Sequence, residues 1–198
     1  MLVNLSEKEA LFKIVYYGPG LCGKTTNLIY LYSRMGGNED ELVNLSNRDD
    51  RTIFFDFTSV EVGRLGDLSV KFSLYTVPGQ SLYSPTRKLV LKGVDGVVFV
   101  ADSSPKAMVQ NIRSLQELGY YLREAEGKIL SEIPMVMQFN KRDLPDALPL
   151  ETMKKLNLWG APTVEAVAVK GEGVMETLNL IIKLVLKHHS RVFKRRGG

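Results

Sequence analysis

Short apolar runs of strand length alternate along the chain with segments in which apolar residues recur at helical spacing. The pattern predicts strands over 11–17, 52–58, 68–76, 94–101, 133–139 and 162–168. It predicts helices over 23–35, 85–92, 105–125, 150–156 and 174–187. This alternation is typical of a mostly parallel sheet with helices on both faces. We therefore predict an α/β fold with a six-stranded sheet, in one domain over residues 1–198.

One strand pair is predicted to depart from the parallel arrangement. The residues 63–67, Gly-Arg-Leu-Gly-Asp, suit a tight turn between the strands over 52–58 and 68–76. These two strands are therefore predicted to be antiparallel neighbours, with one of them at the edge of the sheet. The preceding residues 36–50 are polar and irregular, and a connection of this length is unusual in a compact domain unless it has a function.

A complete phosphate-binding motif joins the first predicted strand to the first predicted helix. It reads Gly18-Pro19-Gly20-Leu21-Cys22-Gly23-Lys24-Thr25 and is followed by Thr26. The glycines allow a tight turn and close backbone approach, so that successive N–H groups can surround an anion at the start of a helix. In this motif the lysine reaches the β- and γ-phosphates and the threonine hydroxyl takes a Mg²⁺ position. A plain glycine-rich turn is the alternative, and the strand–loop–helix context favours the phosphate site.

A second motif, Asn140-Lys141-Arg142-Asp143, follows the apolar strand over 133–139. Ligands of such sheets bind at the carboxyl ends of the strands, so this loop and the phosphate loop are expected on the same edge. The Asp143 carboxylate can accept hydrogen bonds from N1–H and N2–H₂ of guanine, whereas adenine would leave it unpaired at a cost of about 1–3 kcal/mol or more. The alternative is a polar turn, because these residue types are common in turns.

A third segment, over 166–170, precedes the closing helix. The backbone N–H near Ala168, in the sequence Val167-Ala168, is a candidate donor to guanine O6. A simple buried strand end is the alternative.

The composition indicates where the protein is located and shows a basic C-terminal tail. Cys22 is the single cysteine, no apolar run approaches the roughly 20 residues that span a bilayer, and the first residues lack a secretion signal. These features favour the cytoplasm. The net charge is +4, and the last twelve residues contain five Lys or Arg and no acid. This tail, from about residue 187, either contacts acidic lipid headgroups at a membrane or a cell pole, or is a solvated helix end. We expect no specific nucleic-acid partner.

The chain resembles the Ras-like small GTPases, and among them the bacterial MglA family of polarity and gliding-motility switches. The residues that carry the resemblance lie at 16–28, 51–57, 74–80, 87–102 and 140–145, and the sequence Thr-Val-Pro-Gly-Gln at 76–80 is characteristic of the family. The resemblance implies a P-loop NTPase of Ras-like GTPase fold that binds GTP or GDP with Mg²⁺. It further implies a roadblock-fold activating homodimer, MglB, and effectors that bind the GTP state.

The resemblance also assigns roles to residues outside these loops. Thr52 resembles the threonine that contacts Mg²⁺ and the γ-phosphate, beside Thr25. Gly79 resembles the glycine whose N–H senses the γ-phosphate, and Gln80 the glutamine that orients the attacking water. Arg51 resembles an arginine finger supplied in cis, for which Arg48 is a competitor. With Lys24, Gln80 and Arg51 form the expected catalytic set, and hydrolysis without the activator is expected to be slow.

Two departures from the Ras-like pattern stand out. Thr76 occupies the place of an aspartate that binds Mg²⁺ through water, so Asp56 is either a substitute or merely an ion-pair partner. Val169 occupies the place of the lysine in the Ser-Ala-Lys loop. The first departure keeps open a second interpretation, a GTP-dependent assembly module with negligible hydrolysis.

A P-loop kinase is disfavoured because no segment with clustered arginines resembles a lid.

Overall fold

The computed structural model describes residues 1–4, 6–35, 57–65, 68–77 and 84–196. Its strands are β1 (Leu2–Asn4), β2 (Glu9–Tyr17), β3 (Phe57–Leu65), β4 (Leu68–Thr76), β5 (Gly96–Asp102), β6 (Met135–Asn140) and β7 (Thr163–Glu165). Its α-helices are α1 (Lys24–Arg34), α2 (Ser84–Leu91), α3 (Met108–Glu126), α4 (Leu150–Lys154) and α5 (Val174–Arg196). Within the described residues, three short 3₁₀ helices cover Pro105–Ala107, Leu130–Glu132 and Ala168–Lys170.

The strands form one sheet in the order β3-β4-β2-β5-β6-β7, and β1 pairs with the first part of β2. The pairs β2–β4, β2–β5, β5–β6 and β6–β7 are parallel, and β3 is antiparallel to β4, as the sequence predicts. The short antiparallel strand β1 was not predicted. A three-residue strand carries too little periodicity to be detected from the sequence.

Strand β3 extends beyond the C-terminal end of the strand predicted over 52–58. The structure places β3 at Phe57–Leu65 and pairs Leu65 with Leu68, so the strand continues into the predicted turn over 63–67. Only 57–58 of the prediction coincide with β3, and 52–56 lie outside the described residues. An edge strand tolerates polar residues, which a search for apolar density does not detect.

Two apolar layers cover the two faces of the sheet. One layer packs α1 and α5 against the sheet and includes Phe12, Leu28, Leu31, Phe72, Leu178 and Ile181. The other packs α2 and α3 against the opposite face and includes Tyr17, Leu91, Phe99, Leu118, Leu122 and Phe139. The predicted helices on both faces are therefore confirmed.

Within the second layer, a buried arginine anchors α2. Arg87 is 4% exposed, forms an ion pair with Glu117 of α3, and lies over the ring of Tyr17 at 5.9 Å. Because Tyr17 is the last residue of β2, this arginine connects α2 to the strand that leads into the phosphate loop.

A buried polar network links three elements in the first layer. The side-chain amide of Gln138 in β6 exchanges two hydrogen bonds with Asn27 of α1, at 2.9 and 2.8 Å. It also donates to Thr177 Oγ1 of α5 at 2.9 Å. All three side chains are fully buried. The network therefore fixes the relative positions of α1, β6 and α5.

The closing helix is longer than predicted, because α5 continues past residue 187 to Arg196. His189 is half-buried on this helix. Its Nε2 lies 3.0 Å from Asp95 Oδ1, and its ring contacts that of Phe12 edge-on. Burial raises the pKa of Asp95, but hydrogen bonds from His189 and from the backbone of Lys13 outweigh it and hold the pKa below its usual value. This contact ties α5 to the edge of the sheet at which β5 begins.

Candidate functional site

The phosphate loop fits closely against two neighbouring strands. Gly18 and Gly23 have φ values of 149° and 102°, which other residues rarely adopt. A Cβ at Gly18 would lie 2.2 Å from the backbone oxygen of Val100, and a Cβ at Gly23 would lie 2.2 Å from Asn140 Nδ2. Both glycines are therefore required by close contact as well as by backbone conformation.

Lys24 lies beneath the loop. Its side chain is 5% exposed, and Nζ donates to the backbone oxygens of Gly18 and Pro19 at 2.9 and 2.6 Å. Burial lowers the pKa of Lys24. Thr25 and Thr26, half-buried, follow in the first turn of α1. This arrangement concentrates positive charge and a helix N-terminus at one point, which suits a phosphate.

Other loop residues differ in burial. Cys22 is fully buried in the first apolar layer, and burial raises the pKa of its thiol. Its side chain therefore packs beneath the loop. Gly20 and Leu21 lie at the exposed tip, with Leu21 93% exposed at a φ of 60°.

Asn140 joins the three predicted segments. Its Nδ2 donates to the backbone oxygen of Cys22 at 2.8 Å, and its Oδ1 accepts from the backbone N–H of Ala168 at 2.9 Å. The side chain is 3% exposed. One amide therefore holds the phosphate loop, the end of β6 and the segment over 166–170 at the same edge of the sheet.

This bonding affects the third segment. The N–H of Ala168 is bonded to Asn140, so a ligand that accepts from this N–H would have to replace that bond. Val167 is buried and its N–H bonds to the backbone oxygen of Glu172. The next amide, Val169, belongs to a residue that is 75% exposed and forms no backbone hydrogen bond within the described part of the chain.

The predicted last strand over 162–168 also ends early. β7 stops at Glu165, and the chain turns into the 3₁₀ helix Ala168–Lys170. The bond from Ala168 to Asn140 draws the chain towards the site, away from the direction of the strand.

Asp102 is a site residue that the sequence reasoning missed. It ends β5, and its Oδ2 accepts from Lys141 Nζ at 2.6 Å while its Oδ1 accepts from the backbone N–H of Ser104. Burial raises the pKa of Asp102, but these hydrogen bonds outweigh it and lower the pKa below its usual value. The available signal was its position, because a carboxylate that ends a central apolar strand lies at the ligand edge.

The remaining residues of the second motif divide between support and exposure. Arg142 donates to Glu165 Oε2 at 3.1 Å and to the backbone oxygen of Leu148 at 2.6 Å, so it supports the loop. Lys141 adopts a φ of 64°. Asp143 is exposed, and its carboxylate forms no hydrogen bond or ion pair with the residues that the structure describes. This carboxylate is therefore available to a ligand.

The switch predictions fall mostly outside the described residues. Arg51, Thr52, Gly79 and Gln80 lie there, as does Asp56. Thr76, at the end of β4, is buried, and its Oγ1 has no hydrogen-bond partner among the described residues. A hydrogen-bond partner for this hydroxyl would therefore be a ligand or a residue outside the described part of the chain.

A single methyl group at Gly23 is expected to perturb the site. Gly23→Ala should lower the free energy of unfolding by about 2–5 kcal/mol, because it adds left-handed strain and displaces Asn140 from a buried hydrogen bond. Gly93→Ala is the matched control, since Gly93 has a φ of 73° with open space around its Cβ position, and it should cost only about 1–2 kcal/mol. Urea unfolding measures both. Equal losses in the two variants would show that the contact with Asn140 contributes nothing.

The chain has relatives among known proteins. The model of the ADP-ribosylation factor family matches residues 1–185. Mutual gliding-motility protein MglA of Myxococcus xanthus is 51% identical over 186 residues, which cover 93% of this chain and 95% of that protein. Human ADP-ribosylation factor-like protein 4A is 29% identical over 206 residues, covering 99% of this chain and 90% of that protein. Yeast ADP-ribosylation factor-like protein 1 is 30% identical over 125 residues, covering 59% and 64%.

Proposed function

Because the chain belongs to the MglA branch of the ADP-ribosylation factor family of Ras-like GTPases, we propose that it is a gliding-motility switch that binds guanine nucleotides and hydrolyses GTP. The switch would occupy the cytoplasm and consist of one GTPase domain over residues 1–198. The observation that carries the proposal is the position of Asn140, whose side chain bonds to both the phosphate loop and the segment over 166–170. A ligand at this edge can thus touch a phosphate-binding and a base-binding segment together.

Recognition of the base is assigned to three groups. Asp143 accepts hydrogen bonds from N1–H and N2–H₂ of guanine. Lys141, held by Asp102, presents its aliphatic stem to the ring. The O6 contact, first expected from Ala168, is reassigned to the N–H of Val169, which is the next free amide. Lys170 then takes the place of the lysine in the Ser-Ala-Lys loop, and the apparent departure at Val169 disappears.

Recognition of the phosphates is assigned to the loop from Gly18 to Thr26. Lys24 would exchange its bonds to the loop oxygens for bonds to the β- and γ-phosphates. The negative charge of the phosphates would favour the charged form of the amine, which burial disfavours. The residues also fit a magnesium ion. Following the resemblance, the ion would be held by Thr25, Thr52 and phosphate oxygens, since Mg²⁺ prefers oxygen ligands. When bound, Mg²⁺ neutralises phosphate charge.

GTP hydrolysis would proceed by in-line attack of water on the γ-phosphate. Gln80 orients the water, and Arg51 stabilises the charge that develops on the transferred group. Loss of the γ-phosphate then removes the partner of Thr52 and of the Gly79 N–H, and the segments that carry them relax. We assign the placement of Gln80 and Arg51 to a roadblock-fold activating homodimer of the MglB type, and the output to effectors of polarity and motility that bind the GTP state.

A second candidate function is supported by Thr76. A buried hydroxyl at this position is a weaker outer-sphere partner for Mg²⁺ than a carboxylate, and its Oγ1 has no partner among the described residues. The protein would then be a GTP-dependent assembly module with negligible hydrolysis. Multiple-turnover phosphate release, with and without the activating homodimer, separates the two candidates.

Titration calorimetry of nucleotide-stripped protein tests the proposal. With Mg²⁺ present, GDP should bind tightly and ADP should not. Asp143→Ala should weaken GDP binding at least about 100-fold, because two hydrogen bonds to a charged group are lost. Asp146→Ala is the matched control, since Asp146 is an exposed aspartate in the same loop region, and it should bind GDP as the wild type does. Equal affinity for GDP and ADP would reduce the protein to a P-loop NTPase that does not read the base.

A further inference from the structure

An apolar pocket lies at the edge of the sheet opposite the phosphate loop, where β6 and β7 begin. It has a volume of about 160 Å³, and its lining includes Leu130, Ile133, Trp159, Pro162 and Leu184. The side chains come from the segment before β6, the loop before β7 and the middle of α5. The nucleotide site does not use any of these residues.

The loop beside this pocket presents apolar side chains to solvent and is internally braced. Asn157 Nδ2 donates to the backbone oxygen of Ala161 at 2.6 Å, and Asn157 Oδ1 accepts from the N–H of Ala161 at 2.9 Å. Between them, Leu158 is 80% exposed and Trp159 is 37% exposed. Ile129, next to the pocket residue Leu130, is 46% exposed. A braced loop that keeps leucine and tryptophan outside the core suggests a surface that meets an apolar partner.

Cations border the same area. Lys183 and Lys187 are exposed on α5, one residue before and three residues after the pocket residue Leu184, and neither forms an ion pair within the described part of the chain. The nearby carboxylate of Glu132 is engaged with the N–H of Ile129 at 2.8 Å. The basic character continues along α5, since the last twelve residues of the sequence hold five Lys or Arg and no acid.

The geometry of α5 carries this charge beyond the sheet. His189 contacts Asp95, which immediately precedes β5, so residue 189 lies level with the edge at which the strands begin. The helix continues seven residues further, to Arg196, which is about 10 Å at 1.5 Å per residue. The last two turns therefore project from the edge that carries the pocket.

We propose that Ile129, Leu158, Trp159, Lys183 and Lys187, here called the lower surface, dock the protein on an anionic lipid membrane. Tryptophan and aliphatic side chains favour the headgroup boundary, and lysines that flank them bind acidic headgroups. The charge on this surface favours a lipid bilayer over an apolar protein groove as the occupant. No helix among the described residues is long and apolar enough to cross a membrane, so the contact is peripheral. The phosphate loop then faces away from the bilayer.

Sedimentation of the full chain with vesicles tests this proposal independently of nucleotide chemistry. Vesicles containing phosphatidylglycerol should bind the protein at low salt, and vesicles of phosphatidylcholine should not. Trp159 is the only tryptophan, so its emission reports directly on this surface. On binding, the emission should shift to shorter wavelength and be quenched by lipids brominated in the acyl chain.

Variants at exposed positions identify the surface without disturbing the core. Leu158→Glu should weaken binding at least tenfold. The double variant Lys183→Glu/Lys187→Glu should weaken it at least about 25-fold, from roughly fivefold for each lysine. The matched controls are Val109→Glu and the double variant Lys106→Glu/Arg113→Glu, which alter exposed residues around the start of α3 and should bind as the wild type does.

Three results would overturn the proposal. The first is no binding to anionic vesicles, and the second is equal loss of binding in the control variants. The third is binding that leaves the Trp159 emission unchanged, which would assign the contact to another face. A concentration-dependent dimer in light scattering that Leu158→Glu abolishes, without vesicle binding, would instead identify a second copy of the chain as the occupant.

Discussion

Asn140→Ala is expected to lower the free energy of unfolding by about 2–6 kcal/mol and to weaken GDP binding more than tenfold. The substitution leaves the carbonyl of Cys22 and the N–H of Ala168 without partners, next to a residue that is only 3% exposed. Each unsatisfied buried group costs about 1–3 kcal/mol. The affinity for GDP falls as well, because the phosphate loop and the segment over 166–170 are no longer bonded to the same side chain. Urea unfolding and GDP titration measure the two effects.

Asn157→Ala provides the matched control for this prediction. Asn157 also makes two side-chain hydrogen bonds to backbone, both to Ala161, but it is half-buried and lies away from the site. Water can replace these bonds in part, so we expect a loss of about 1 kcal/mol and unchanged GDP affinity. If Asn140→Ala bound GDP as tightly as Asn157→Ala does, the two hydrogen bonds of Asn140 would contribute to stability alone.

Arg51→Ala is expected to lower the activator-stimulated rate of GTP hydrolysis by about 10³–10⁵-fold while leaving GTP affinity nearly unchanged. An arginine finger acts on charge that develops only in the transition state, and this range is the one measured for Ras and its relatives. Single-turnover hydrolysis in the presence of the activating homodimer measures the rate, and fluorescent-nucleotide titration measures the affinity. The prediction rests on the resemblance, because residue 51 lies outside the described part of the structure.

Arg48→Ala is the control for the finger, since it removes the same charge three residues away. It should hydrolyse GTP at the wild-type rate. A loss confined to Arg48→Ala would transfer the role to that residue. Full rates in both variants would exclude an arginine supplied in cis from this part of the chain.

The sequence predicts the ligand edge of this fold well because parallel strands place their carboxyl ends together. The glycines of the phosphate loop and the residues after β6 are far apart in the chain, but β2 and β6 both flank β5, so their ends must meet. The alternation of strands and helices likewise predicts the two covered faces of the sheet. Local spacing and one topological rule suffice for these features.

What the sequence did not reveal depends on contacts between distant residues. The bond from Ala168 to Asn140 ties the third segment to the end of β6, and no local pattern encodes it. The interaction of His189 with Asp95 joins residues from opposite halves of the chain, so no local pattern in the basic helix end predicts it. The extent of β3 is set by pairing with β4 as far as Leu65, which overrides the turn composition.

The buried amide of Gln138 has a consequence for how the molecule opens. Separation of α1 or α5 from β6 would break at least one hydrogen bond of Gln138. The broken bond would leave a polar group without a partner in an apolar layer unless water entered that layer. These three elements therefore form one cooperative unit in local unfolding, with an opening free energy close to that of the whole domain.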